Sequence, residues 1–183
     1  DSWIQIDSTI YGKNAFPVFG LSVSLSSDGS ILAIGSGNGI EIEVYRNIDN
    51  DWIKISSEIK TNEPGDNFGE SVSLNSDGTV IAVGEIGSNF SNDPLGQFVG
   101  KVYIYKNEDG NWVQVGTTIN GIREREQFGK SVSLSSDGNI IAIGGNGAGK
   151  DGQLSGNVRI YRNENDNWVQ INEDSDGDNE KNV

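Results

Sequence analysis

The stretch FGKSVSLSSDGNIIAIG, residues 128–144, decides the fold class. Its opening, Ser131-Val132-Ser133-Leu134, alternates small polar with apolar side chains, the period of a strand with one buried face. Ser136-Asp137-Gly138 then supplies a turn, because aspartate accepts local backbone hydrogen bonds and glycine takes the positive φ that closes it. Ile140–Ile143 is apolar on both faces, as a strand covered on both sides requires. The same phrase occurs twice more, as FGLSVSLSSDGSILAIG at 19–35 and FGESVSLNSDGTVIAVG at 68–84.

Each phrase leads through a loop into a third strand that ends in Tyr45, Tyr105 or Tyr161. In that strand Ile42 and Val44, Val102 and Ile104, or Val158 and Ile160 form the apolar face, with Glu41 and Glu43 opposite in the first copy. An Asn/Asp/Gly turn follows, and Trp52, Trp112 or Trp168 opens a fourth strand. Trp3-Ile4-Gln5-Ile6 is a further copy of that last strand, standing alone at the start. A four-stranded sheet this small cannot bury both faces by itself, so such units stack. The sequence therefore predicts an all-β chain of tandem four-stranded antiparallel blades of a β-propeller, three full blades plus one extra outer strand. The expected divisions are 1–10 for the outer strand of a preceding blade, 11–59, 60–120 and 121–172 for the three blades, and 173–183 for an acidic tail or linker. A β-sandwich of the same strands is the rival.

The phrase SVSLSSDGNIIAIGG resembles the first two strands of a WD40 blade, without the Gly-His and Trp-Asp signatures. The Phe-Gly opening and the Gly-rich loop before the third strand resemble the FG-GAP repeats of integrin-alpha-type propellers. That resemblance covers residues 3–171 and implies an extracellular adhesion or surface protein. It also implies calcium loops, but the matching positions are Ser24, Ser26 and Asp28, then Ser73, Asn75 and Asp77, then Ser133, Ser135 and Asp137. One carboxylate per loop is poor provision for a cation that takes six to eight oxygens. Asp28, Asp77 and Asp137 are read as turn formers.

Composition narrows the function. The net charge is −14 with no His, Cys or Met, and Gly is frequent at 25 of 183 residues. An acidic surface repels phosphate backbones and anionic membranes, which points away from nucleic acid. The apolar runs are too short for membrane insertion. Without His or Cys the usual zinc ligands and the commonest general base are missing. No Gly-x-Ser-x-Gly elbow is present, and the Gly-rich stretch 144–156, which contains Lys150, lacks the phosphate-loop pattern. The chain is therefore read as not an enzyme and as needing no cofactor. Lacking Met, it is expected to be a processed product or a window on a longer polypeptide.

Two segments remain as candidate sites. Asp174, Asp176 and Asp178 alternate in the tail, so calcium at these residues competes with a disordered acidic linker. Asn89-Phe90-Ser91 is a glycosylation sequon in the longest loop, with a chance sequon as the equal alternative. The tryptophans could stack on sugars, but their recurrence beside a turn favours a structural anchor. Arg46, Lys106 and Arg162 are expected to snorkel from a blade edge, and Arg123-Glu124-Arg125-Glu126 to form a solvated loop. The expectation for function is a non-catalytic, extracellular or cell-surface structural or adhesive segment, a glycoprotein building block of a larger protein or filament. Its partners would be other blades, copies of itself or glycans. A carbohydrate-binding propeller and part of a hydrolase are the alternatives.

Overall fold

The computed structural model describes residues 2–12, 18–37, 41–56, 59–60, 67–87, 99–147, 155–172 and 175–176, the last two by their backbone. It is all-β, with three antiparallel sheets and no helix among the described residues. The first sheet runs β1 (Val18–Leu25), β2 (Ile31–Gly37), β3 (Glu41–Ile48) and β4 (Asp51–Lys54), and β5 (Ile59–Lys60) returns to β3. The second repeats this with β6 (Phe68–Leu74), β7 (Val80–Glu85), β8 (Lys101–Glu108), β9 (Asn111–Gln114) and β10 (Ile119–Asn120). The third comprises β11 (Phe128–Leu134), β12 (Ile140–Gly145), β13 (Asn157–Glu164), β14 (Asn167–Gln170) and β15 (Ser175–Asp176).

The outer strand of each unit is thus broken in two, which the sequence did not lead us to expect. The cause is a local bulge. The amides of Ile55 and Ser56 both donate to the carbonyl of Val44, at 2.8 and 3.2 Å. The Ser56 hydroxyl accepts the Val44 amide in return at 3.2 Å. Asn172 does the same work in the third unit, its Oδ1 accepting the Ile160 amide at 2.7 Å. After the bulge the chain rejoins the third strand for two residues. In the last unit this carries Ser175 and Asp176, within the stretch read as an acidic tail, into register with Val158 and Asn157.

The Phe-Gly pair proves to be another bulge. The register of β1 on β2 jumps from Phe19↔Ser36 to Ser22↔Gly35, and β6 and β11 jump at the matching places. Gly20, Gly69 and Gly129 lie there at φ of 81°, 89° and 90°, a region that costs any residue with a Cβ. The hairpins between third and fourth strands are two-residue loops with positive φ at both positions, as at Asp49-Asn50, Asp109-Gly110 and Asn165-Asp166.

The sheets pack face to face in chain order. Ala33, Ile42, Val44 and Ile59 of the first unit meet Val72, Leu74, Ile81 and Val83 of the second, with Tyr103, Tyr105 and Trp112 around them. Ala82, Val102, Ile104 and Ile119 of the second meet Ile141 and Ile143 of the third, with Tyr161 and Trp168. Phe68 and Phe128 are fully buried at the two junctions.

Trp3-Ile4-Gln5-Ile6 forms no strand, and Trp3 is wholly exposed. The expected outer strand finds no inner strands to pair with among the described residues. The segment instead touches the first sheet through Asp7, whose Oδ2 accepts the Trp52 amide at 2.9 Å.

Candidate binding surface

The two junctions are fastened by the same polar groups. Ser22 donates its hydroxyl to the carbonyl of Gly69 at 2.8 Å, and Ser71 donates to Gly129 at 2.7 Å. The Leu74 amide donates to the hydroxyl of Ser24 at 2.9 Å, and the Leu134 amide to Ser73 at 3.0 Å. Backbone bonds run from the Ser27 amide to the Ser76 carbonyl and from the Ser76 amide to the Ser136 carbonyl. Gly35 and Gly84 make room for this latch, since a Cβ on either would fall onto the incoming carbonyl oxygen of Gly69 or Gly129. The alternating serines, read from sequence only as the polar side of a half-buried strand, are the contacts between blades.

At the two ends of the array the same surfaces stand without a neighbour among the described residues. Val23 and Leu25 are 63% and 55% exposed, whereas their counterparts Val72 and Leu74 are at 8% and 7%. On the last unit Ser131 and Ser133 are exposed, and Val158 is 44% exposed where Ile42 and Val102 are buried. The three atoms nearest a Cβ on Gly144 all belong to its own partner, Ser131.

The buried charges lie inside the blades. Glu126, placed by sequence in a solvated loop, is fully buried. Its Oε2 accepts the amides of Ile122 and Arg123 at 2.7 and 2.9 Å. Its Oε1 forms an ion pair with Arg159, equally buried, whose guanidinium stands 4.8 Å from the centre of the Phe128 ring. The charged run does form the loop between β10 and β11, but one of its four residues turns inward to meet an arginine on β13. Glu43, expected opposite the apolar face, is also buried. It accepts the Tyr45 hydroxyl and lies 3.1 Å from the Lys54 amine. Burial and Glu43 together push the Tyr45 phenol well up. Glu85, also fully buried, lies 3.5 Å from Lys101, and burial foremost pushes nearby Tyr105 up to about 12.

The turn aspartates are where the sequence places them. Asp28 accepts the Ser26 hydroxyl at 2.6 Å and the Ser30 amide at 2.9 Å, which hold its carboxyl down to about 2. Asp77 is lowered by the hydroxyl and then the amide of Thr79, and Asp137 by the Ser135 hydroxyl and then the Asn139 amide. Their folded pKa values lie below the unfolded ones, so their contribution is present above about pH 4 and is lost as pH falls toward 2. The urea midpoint should therefore fall through that window. The triple variant Asp28→Asn, Asp77→Asn, Asp137→Asn should start lower but lose less on acidification, and equal acid losses in the two proteins would refute the assignment.

Trp112 and Trp168 pack against the two cores, and the Trp168 indole N–H donates to the Val115 carbonyl at 3.1 Å. These two are anchors between blades. Arg46, Lys106 and Arg162 are exposed. Of the calcium candidates, Asp174 and Asp178 lie outside the described residues, as does Asn89, and Asp176 is described only as backbone paired with Asn157. Among the described residues no group of three or more His, Cys, Asp or Glu is placed to hold a metal ion.

The chain is similar to a protein of Bacteroides fragilis assigned as a 6-phosphogluconolactonase, at 14% identity and a TM-score of 0.58 over 85% of this chain and 38% of that one. Saccharomyces cerevisiae Sqt1 is similar at 12% identity and 0.54, over 86% of this chain and 36% of its own. So is a complex of KlAtg21 with the coiled coil of AgAtg16, at 20% and 0.55, over 85% and 41%. The fold is propeller-like. No protein-family model and no curated protein matches the sequence. The chain spans about two-fifths of the length of these structures.

These likenesses correct the expectation of a non-catalytic extracellular adhesive or structural segment. A second similar structure, from Bacteroides uniformis, is also assigned as a 6-phosphogluconolactonase, and nothing in the group supports adhesion outside the cell. The repeat specifies how a blade is built, and the same blade serves enzymes and other proteins alike.

Proposed function

We propose that the chain is a section of a propeller whose end faces bind further blades of the same build. Within propellers, the Phe-Gly bulge favours kinship with FG-GAP-type repeats. The observation that carries the proposal is the pair of end faces without a neighbouring blade among the described residues, each built from the groups that fasten the two internal junctions. Val23 and Leu25 offer exposed apolar surface of the kind that a second surface of matching shape covers. The buried carboxylates Glu43, Glu85 and Glu126 are committed to lysine, tyrosine, arginine or backbone partners inside the blades, which suits a framework better than a reaction centre. A propeller that engages a coiled coil, as in the complex of KlAtg21 with AgAtg16, is precedent for protein binding on such a fold.

The competing activity is lactone hydrolysis, measured as acid release from 6-phosphogluconolactone. The rate with this chain should equal the rate of the lactone in buffer alone. An acceleration that Glu85→Gln or Glu126→Gln abolishes would make the buried carboxylates catalytic and would overturn the binding reading.

A further inference from the structure

We infer that the fold guards its own Asn-Gly and Asp-Gly pairs against succinimide formation, and that at Asp109-Gly110 the guard is the side chain of Asn107. The sequence holds nine such pairs. They are the pairs most open to this reaction, because glycine has no side chain to hinder the attacking nitrogen. The backbone nitrogen of the glycine loses its proton and bonds to the Cγ carbon of the preceding residue. Asparagine then releases ammonia, and aspartate releases water. A water molecule opens the ring at one carbonyl or the other, which yields aspartate or isoaspartate. Isoaspartate adds one carbon to the main chain, so it would shift the register of any hairpin that carries it.

Six of the nine pairs lie wholly within the described residues. In all six the glycine N–H that the reaction must remove is engaged. Gly29, Gly78 and Gly138 donate to the carbonyls of Ser26, Asn75 and Ser135 at 2.9, 3.2 and 2.9 Å. Gly121 donates to the Gly100 carbonyl at 3.0 Å, and Gly147 to the Glu126 carbonyl at 3.1 Å. Gly110 donates to Asn107 Oδ1 at 2.7 Å. In the three Asp-Gly turns between first and second strands the other reactant is engaged too. Asp28, Asp77 and Asp137 each accept a hydroxyl, from Ser26, Thr79 and Ser135, and the amide two residues on. Such bonds favour the ionised carboxylate, the form less open to attack.

The fold cannot escape the risk by replacing the glycines. A Cβ on Gly121 or Gly147 would strike the carbonyl of Val99 or Arg125, and Gly110 holds φ at 92°. Protection therefore falls to the hydrogen bonds. Asp109-Gly110 differs from the other five pairs in that its acceptor is a side chain. The same device closes the matching hairpins, where Asn47 Oδ1 accepts the Asn50 amide at 3.0 Å and Asn163 Oδ1 the Asp166 amide at 2.8 Å. Glycine takes that place in the second unit alone, so there the asparagine holds a reactive nitrogen away from an aspartate.

Ageing of the full chain at neutral pH, folded in buffer and unfolded in urea, tests this. Peptide maps read deamidation by mass, and methyl transfer by an isoaspartyl methyltransferase reads isoaspartate. A guarded site reacts only after local opening, so each of the six should react at least about tenfold more slowly in the folded chain than in urea. Asn107→Ala should raise the rate at Asp109 about fivefold in the folded chain and leave the other five sites as they were. Asn107→Asp keeps an acceptor and should restore the protection. Reaction at any of the six as fast in the folded chain as in urea would overturn the protection. A rate at Asp109 that Asn107→Ala leaves unchanged, or raises no more than at the other five, would overturn Asn107 as the guard.

Discussion

Replacing Glu126 with alanine should cost the chain about 3–5 kcal/mol, because the guanidinium of Arg159 is then left buried without its counter-charge. For a chain of this size that is a fall in Tm of roughly 6–20 °C. The carboxylate also holds two backbone amides, of Ile122 and Arg123, which lose their acceptor in the same step. A double variant separates the contributions. Glu126→Ala with Arg159→Met removes both charges and keeps apolar volume against the Phe128 ring, so it should recover much of the loss. The part not recovered measures the two amides. Should Glu126→Ala alone melt within a degree or two of the parent chain, the pair would not be buried in solution as it is in the structure.

The second large effect is expected at the strand glycines, and it should depend on position in the array. Gly84→Ala drives a Cβ into the Gly129 carbonyl, a backbone atom that moves only if the two sheets part. Gly35→Ala does the same against Gly69. Overpacking of this kind costs about 1–3 kcal/mol or more. Gly144→Ala lies at the matching strand position, but its close contact is with the Ser131 hydroxyl, which can turn away. Urea midpoints should fall together for the first two and stay near the parent value for the third. They must be measured at dilution, where association does not add to apparent stability. Equal losses at all three sites would mean that the cost arises within each strand and not at the junction.

Much of this architecture was legible because its signals are local. The alternation in Ser-Val-Ser-Leu, the Asp-Gly turn and the doubly apolar second strand each specify backbone geometry within a few residues, and each unit forms as they indicate. The bulge at Phe-Gly was visible only as a recurring pair, since a bulge is a property of register between two strands and not of one strand. The split outer strand escaped because its second part is two residues long, as at Ile59–Lys60, too short for any period. Glu126 and Arg159 escaped for another reason. They lie 33 positions apart in sequence, and each alone resembles an ordinary surface charge. The functional class went astray because the repeat records how sheets stack, and stacking is common to propellers of many uses.

The serine latch has one more consequence. Its acceptors are backbone carbonyls and its second contact a backbone amide, so a unit recognises its successor by shape and not by side-chain identity. Among the described residues, the Glu70–Lys130 pair and the bond from the Trp168 indole to the Val115 carbonyl mark the second junction. A gene encoding such units can therefore gain or lose whole copies by unequal recombination and still yield a chain whose neighbours fit. Natural variation in this lineage should then appear as changes in copy number and in the connecting loops, with the latch residues left untouched.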